Sequence, residues 1–152
     1  TEYKLVFAGG EGDVGTSVRK KISGADNIEY HGFVSETKKF ELLADCRALV
    51  FNGNNEDFGI VPVEANASNK ACLVPDSGFP GLYVEDGRNG YKHDGTRAGI
   101  SACLERFERE GLTGDPERCA RQYGFDTFKN RLTTVVQDWY RSFENQAQTT
   151  GI

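Results

Sequence analysis

No stretch of this 152-residue chain comes near the roughly 18 consecutive apolar residues that a membrane-spanning helix requires, and no basic-then-apolar leader opens it. Methionine is absent, even from position 1, so the sequence reads as an excised domain or a fragment of a longer polypeptide. Histidine is reduced to the distant His31 and His93, and the four cysteines (Cys46, Cys72, Cys103, Cys119) form no C-x-x-C pair. A zinc site, or any other metal centre, is therefore not expected. Each cysteine falls in or beside an apolar segment, which reads as reduced, mostly buried thiols in a cytoplasmic protein. Positive charge is also in deficit: 18 Lys and Arg face 23 Asp and Glu, a net charge of -5. That balance excludes the broad basic surface a nucleic acid would need. The short "RKK" from Arg19 to Lys21 reads as the solvated face of a helix. Repeats and low-complexity linkers are lacking too. What remains, 38% hydrophobic and 27% charged residues, describes one soluble globular domain with a real core.

Apolar runs alternate with helix-like segments along the whole chain. "KLVFA" reads as a strand followed by a helix over Ser17–Ile22, and "NIEYHGFV" as a second strand between Asn27 and Gly32. Ser35 is a good N-cap for a helix that would bury Phe40, Leu43 and Ala44. "ALVFNG" is apolar throughout, as expected of a strand covered on both faces. "GIVPVEANASN" reads as a helix with Pro62 in its first turn and Asn69 as its C-cap. "ACLVPDSG" and "NGYKHDG" supply a fourth and a fifth strand. Ile100, Cys103, Leu104 and Phe107 mark an amphipathic helix. The last helix carries Phe128, Leu132, Val135, Val136, Trp139 and Phe143 on one stripe, and the polar tail over 146–152 is expected to fray. This alternation predicts an α/β fold with a doubly wound parallel sheet. Ligands would then bind beyond the carboxyl ends of the strands, at Gly9–Gly15, Gly32–Ser35, Asn52–Gly59 or Asp76–Gly81.

The first of those loops holds a literal G-x-G-x-x-G, Gly10 through Gly12 to Gly15, between a strand and a helix. A dinucleotide site further needs an acidic residue at the tip of the next strand to hold the ribose. That strand ends in Tyr30, His31 and Gly32, and Glu29 belongs to its body. A tight turn into a helix, or a turn holding a phosphate or sugar, accounts for the glycines as well.

"NEDFGIVPVEA" is more informative. Glu56 and Glu64 stand eight positions apart around Phe58-Gly59, with Pro62 opening a helix. Glu56 would lie in the loop after the third strand and Glu64 within the first turn of the following helix. Gly59 allows close backbone approach, and the N–H groups around Ile60 and Val61 stand at the helix start. The helix dipole alone favours a carboxylate in a first turn, so Glu64 by itself would mean little. Two carboxylates for hydroxyl groups beside a dipole for phosphate suit a nucleotide-sugar.

Together with "KLVFAGG", "NIEYHGFVS", "ADCRALVFN", "ACLVPDSGFPGLYVEDGRNGY" and "YGFDTFKNRL", this E-x7-E motif resembles the retaining glycosyltransferases of the GT-B fold known as group 1 or family 4. The resemblance covers nearly the whole chain and implies a nucleotide-sugar donor-binding domain over 1–145, a Rossmann-like half of a longer enzyme. By that resemblance Glu56 would contact the transferred sugar as the catalytic residue, and Glu64 the ribose hydroxyls. Backbone groups of Phe58, Gly59, Ile60 and Val61 would meet the sugar and diphosphate. Phe33 and Val34 would line the base pocket, and Gly9 and Gly10 would border the phosphate crevice. No metal or other cofactor is implied beyond the donor.

The sequence departs from the family's pattern in two places. The family's first strand and helix, with an Arg and a Lys that clamp the diphosphate, do not precede "KLVFAGG", and that strand is central in the usual order. Asn69 and Ala71 replace residues that are commonly Gly and Pro, a change expected to alter the helix end and not the site. The acceptor-binding N-terminal domain is not in this chain, so the isolated chain is expected to be inactive, and any membrane association would come through that part. Two other readings stay open: an NAD- or FAD-binding oxidoreductase domain resting on Gly10 to Gly15, and a non-catalytic, orphaned nucleotide-binding module.

Overall fold

The computed structural model describes residues 3–9, 13–53 and 56–150, in which five short strands alternate with seven helices. Contacts divide the chain into two compact units, Thr1–Asp45 and Cys46–Ile152. In the first, β1 (Leu5–Ala8) is followed by α1 (Asp13–Ile22), and β2 (Ile28–Gly32) by α2 (Glu36–Asp45). β1 and β2 are parallel, with Phe7 opposite Tyr30 and a register break at Ala8. Ser35 caps α2 as its side chain suggests, its hydroxyl accepting the Lys38 N–H at 3.2 Å.

The second unit runs β3 (Ala48–Val50), α3 (Ile60–Ala67), β4 (Ala71–Pro75), α4 (Gly78–Tyr83), β5 (Gly90–His93), α5 (Arg97–Glu110), α6 (Pro116–Arg121) and α7 (Phe125–Thr150). Its three strands are parallel in the order β3-β4-β5, with Leu73 opposite Tyr91. β4 is buried along its whole length, as the unbroken apolar run "ACLVP" requires. Leu73, Tyr91 and Cys103 form the centre of the core, with Ala48, Leu104, Phe107 and Leu112 against them. The Tyr91 hydroxyl reaches the surface side of that core and donates to the Gly111 carbonyl at 2.8 Å.

The α/β class and the parallel strands are as expected, but the strands form two sheets and not one. β1 and β3 are edges among the described residues. Strand β3 is only half-buried where full burial was expected, and Val50 is 39% exposed. Leu5, Val6 and Phe7 of β1 are exposed to a similar degree. An apolar run predicts burial only where other elements pack on its faces; β5, with a single strand neighbour too, is nearly all buried. The break falls between the second and third strands.

Other differences are local. α1 begins at Asp13, ahead of Ser17, and α2 buries Leu43 while leaving Phe40 and Ala44 exposed. α4 and α6 were not anticipated; the signal for α6 was Asp115 before Pro116, and the Asp115 carboxylate accepts the Arg118 N–H at 3.0 Å. α7 continues through Thr150 where a frayed tail was expected. Its stripe of Phe128, Leu132, Val135, Val136, Trp139 and Phe143 falls on a helix as read, yet every one of these side chains is at least half exposed. No helix among the described residues is long and apolar enough to cross a membrane.

All four cysteines are free thiols, Cys72 and Cys103 buried and Cys46 and Cys119 half-buried. Burial pushes both inner thiols up, Cys103 to about 11, so neither forms appreciable thiolate at neutral pH. An alkylating reagent at neutral pH should modify Cys46 and Cys119 in the folded chain, and Cys72 and Cys103 only after unfolding. Peptide mass mapping before and after denaturant checks this directly.

Candidate functional site

Three loops leave the carboxyl ends of β3, β4 and β5, the edge at which parallel sheets of this class bind ligands. The loop from β3 carries Glu56 and Phe58 and turns into α3 at Gly59, whose φ of 61° and ψ of 72° are left-handed. A Cβ there would lie 2.9 Å from Glu56 Cγ and 3.2 Å from Pro80 Cγ. Glycine is thus required twice over, by conformation and by space. Gly59 is the N-cap of α3 and has no side chain to offer, so the first-turn N–H groups of Ile60 and Val61 point to partners outside the helix. Pro62, buried, fills the third helical position, where its missing N–H costs nothing. Glu64 stands in the second turn and not, as expected, in the first, because the helix begins only at Ile60; it is half-buried, and its Oε2 is shielded from solvent. Glu56 is exposed. Gly59→Ala should lower stability by about 1–2 kcal/mol through the left-handed conformation alone, readable as a lower urea midpoint with an unchanged slope.

The loop is anchored by aromatic rings. Phe58 stacks on Phe79 with centroids 4.4 Å apart and planes at 16°, and Phe79 stacks on Tyr83 at 5.9 Å. Tyr123, just past α6, presents its edge to all three rings at 5.2 to 6.3 Å. Such pairs contribute roughly 0.5–1.5 kcal/mol each beyond area burial. The backbone of the segment after β4 braces the same loop. The Phe79 N–H donates to the Glu56 carbonyl at 3.4 Å, and a Cβ on Gly78 would lie 2.8 Å from that oxygen.

At its far end α3 is held by a buried polar cluster that sequence reasoning missed. Asn66 Nδ2 donates to the carbonyls of Lys70 at 2.8 Å and Asn89 at 2.9 Å. Its Oδ1 accepts from the Tyr83 hydroxyl at 2.6 Å and from Asn89 Nδ2 at 2.9 Å. Asn69 closes the helix with a φ of 59°, a position where glycine is usual and asparagine the best substitute. The Lys70 N–H reaches the Ala65 carbonyl at 2.9 Å and the Asn69 N–H the Asn66 carbonyl at 2.9 Å, so the helix end is properly closed. Beside α4 a shallow recess is lined by Asp76, Ser77, Gly78, Gly81, Leu82 and Lys92, where Lys92 pairs with Asp76 at 3.5 Å.

The remaining expected site residues belong to the first unit. Gly9, with a φ of 99°, ends β1 and donates its N–H to the Gly32 carbonyl at 2.7 Å. Gly10 lies outside the described residues. Phe33 is 76% exposed and Val34 half-buried just past β2. Glu29, the nearest acid for a dinucleotide ribose, is tied to Lys4 at 2.6 Å, and that ammonium holds its carboxyl below the usual range. Glu56, Phe58, Gly59, Ile60, Val61 and Glu64 thus come together on one loop and helix, while Gly9, Phe33 and Val34 stand at the strand ends of the other unit.

Residues 1–120 match the family described as glycosyl transferases group 1. The chain belongs to that family. Among curated relatives of this group 1 chain, the alpha-1,3/1,6-mannosyltransferase ALG2 of Dictyostelium discoideum is 26% identical over 156 residues, covering 90% of this chain and 36% of the relative. The human ALG2 is 28% identical over 129 residues, covering 78% of this chain and 31% of that protein. The chain therefore spans about a third of the length of these relatives. Among solved structures, a sucrose-phosphate synthase from Thermosynechococcus elongatus superposes with a TM-score of 0.73 at 12% identity, over 91% of this chain and 39% of that one. Anabaena Alr3699/HepE, solved in complex with UDP-glucose, gives a TM-score of 0.69 at 20% identity over 88% of this chain and 40% of that one. These likenesses establish the fold as a Rossmann-like half of the group 1 architecture.

Proposed function

We propose that this group 1 chain is the donor-binding half of a retaining glycosyltransferase that moves a sugar from a nucleotide diphosphate sugar to an acceptor. The observation that carries the reading is the placement of Glu56 and Glu64 on either side of the Gly59 turn, with the first-turn N–H groups of α3 between them in sequence. Glu56 would hold hydroxyls of the transferred sugar, Glu64 the ribose, and the N–H groups from Gly59 to Val61 the diphosphate. Oriented N–H groups at a helix start stabilise developing charge on a leaving diphosphate, so binding is proposed to need no metal. The relatives named as mannosyltransferases make a mannose-bearing donor the leading candidate. The acceptor would be bound by a further domain of the complete protein. Residence in the cytoplasm accords with four free thiols.

A ligand-observed NMR screen against UDP, GDP and ADP sugars and NAD, with and without EDTA, tests this. Saturation transfer to one nucleotide-sugar, insensitive to EDTA, is the expected result. Binding of NAD alone would overturn it.

A further inference from the structure

We propose that His93 is a positioning residue for the Glu56 loop, acting through a hydrogen bond donated by its Nε2–H to the Phe51 carbonyl. His93 ends β5 and is only 4% exposed. Its Nδ1 accepts the Gly95 N–H at 3.0 Å. A ring nitrogen that accepts carries no proton, so a neutral imidazole here has its proton on Nε2. Nε2 faces the Phe51 carbonyl at 3.2 Å, a partner that takes a donor and nothing else. The two contacts therefore specify one tautomer.

Phe51 is the residue at which β3 gives way to the loop carrying Glu56, and its N–H is fixed by the Leu73 carbonyl at 2.8 Å. The main-chain carbonyl of His93 meanwhile accepts the Asp76 N–H at 2.8 Å, where β4 gives way to the segment whose Phe79 N–H reaches the Glu56 carbonyl. One residue thus joins both strand exits that converge on Glu56. The turn behind it is stiff. Asp94 Oδ1 accepts from the Thr96 N–H at 2.9 Å and hydroxyl at 2.7 Å, and these bonds hold the Asp94 carboxyl below its usual range. The Thr96 hydroxyl oxygen in turn accepts the Gly99 N–H at 3.0 Å, capping α5. Gly95, with a φ of 79°, lies close enough to Asn52 that a Cβ would sit 3.6 Å from its Oδ1. An apolar side chain of equal size at position 93 would fill the same space while leaving the Phe51 carbonyl and the Gly95 N–H without their partner, which is why a histidine stands there.

The ligand arm of the test rests on the donor-binding reading; the other arms do not. His93→Gln keeps an amide donor at the reach of Nε2 and gives up the acceptor for Gly95. His93→Asn keeps an acceptor at the reach of Nδ1 and gives up the donor for Phe51. In the wild type, ring 15N shifts should report the Nε2–H tautomer. Amide exchange over 56–61, measured without ligand, should quicken about tenfold in His93→Asn and stay within about twofold of wild type in His93→Gln. Amides of β4 and α5 should keep their wild-type protection in both variants. Affinity for UDP-glucose or a GDP-sugar, whichever the wild type binds, should fall in the same order. An Nδ1–H tautomer, or equal loop exchange in the two variants, would overturn the proposal and reduce His93 to a core-filling residue. If either variant fails to fold, the wild-type tautomer and a through-hydrogen-bond coupling from Nε2 to the Phe51 carbonyl still decide it. A wild type that binds no nucleotide-sugar sinks the donor reading and leaves the exchange result standing.

Discussion

Glu64→Ala should weaken binding of the nucleotide-sugar about tenfold to a hundredfold and leave the fold intact. The size of the effect follows from the carboxylate's setting. Glu64 is half-buried on the second turn of α3, with one oxygen shielded from solvent, so hydrogen bonds it makes to a ligand are poorly replaced by water. Charge-assisted hydrogen bonds of this kind contribute roughly 1.5–3 kcal/mol. The helix itself should not suffer, because alanine is the best helix former. Glu64→Gln, which keeps the shape and one acceptor, should fall between the two. Titration calorimetry with the donor found in the screen gives the number, and circular dichroism checks the fold. Unchanged affinity in both variants would take Glu64 out of the site.

The largest expected effect on stability is that of Asn66→Leu, which should cost at least about 3 kcal/mol. Leucine has the branching and heavy-atom count of asparagine but is bulkier, so the lost hydrogen bonds come with some overpacking at a site that is fully buried. The Tyr83 hydroxyl and the Lys70 carbonyl lose their partner, while Asn89 Nδ2 keeps only the Tyr83 carbonyl at 3.4 Å and the Asn89 carbonyl only the Cys72 N–H at 3.2 Å. Each buried polar group so stranded costs about 1–3 kcal/mol before relaxation. Burial pushes the Tyr83 phenol well up, so it stays protonated and cannot escape by ionising. For a chain of this size the expected fall in Tm is on the order of 10 °C. Adding Tyr83→Phe to Asn66→Leu should recover part of the loss, since one stranded hydroxyl is then removed. A double variant no more stable than the single one would show that the Tyr83 contact contributes little. Because Asn66 sits two residues from Glu64, donor affinity measured on the same proteins would also report how firmly the far end of α3 must be held.

What the sequence disclosed and what it hid divide along a physical line. β4, β5, α3 and α5 were legible because their signals are local: apolar runs, a proline in the first turn, Asn69 at a helix end and the helical spacing of Ile100, Cys103, Leu104 and Phe107. The loop-to-helix turn between Glu56 and Glu64 was legible for the same reason, since a glycine and a proline at fixed spacing need no distant residue, though Glu64 falls one turn later than expected. α4 was missed because "GFPGLY" has the composition of a turn, and it is held by Pro80 and the aromatic stack around Phe79. The exposure of Val50 and of the α7 stripe was hidden because burial depends on what lies opposite, which no local pattern records. Asn66 and His93 read as unremarkable polar residues in apolar company. Their importance lies in partners 23 and 42 residues away in sequence.

The pairing of strands also sets the order in which the chain can assemble. β1 pairs with β2 across α1, β3 with β4 across α3, and β4 with β5 across α4, so every ladder closes over a single intervening helix. Loop closure of that length is entropically mild, and contacts so local favour rapid folding. No ladder among the described residues waits for a strand from the opposite end of the polypeptide. On a ribosome, β1, α1 and β2 can pair as soon as they emerge, and the core around Leu73 and Tyr91 can close once α5 has followed.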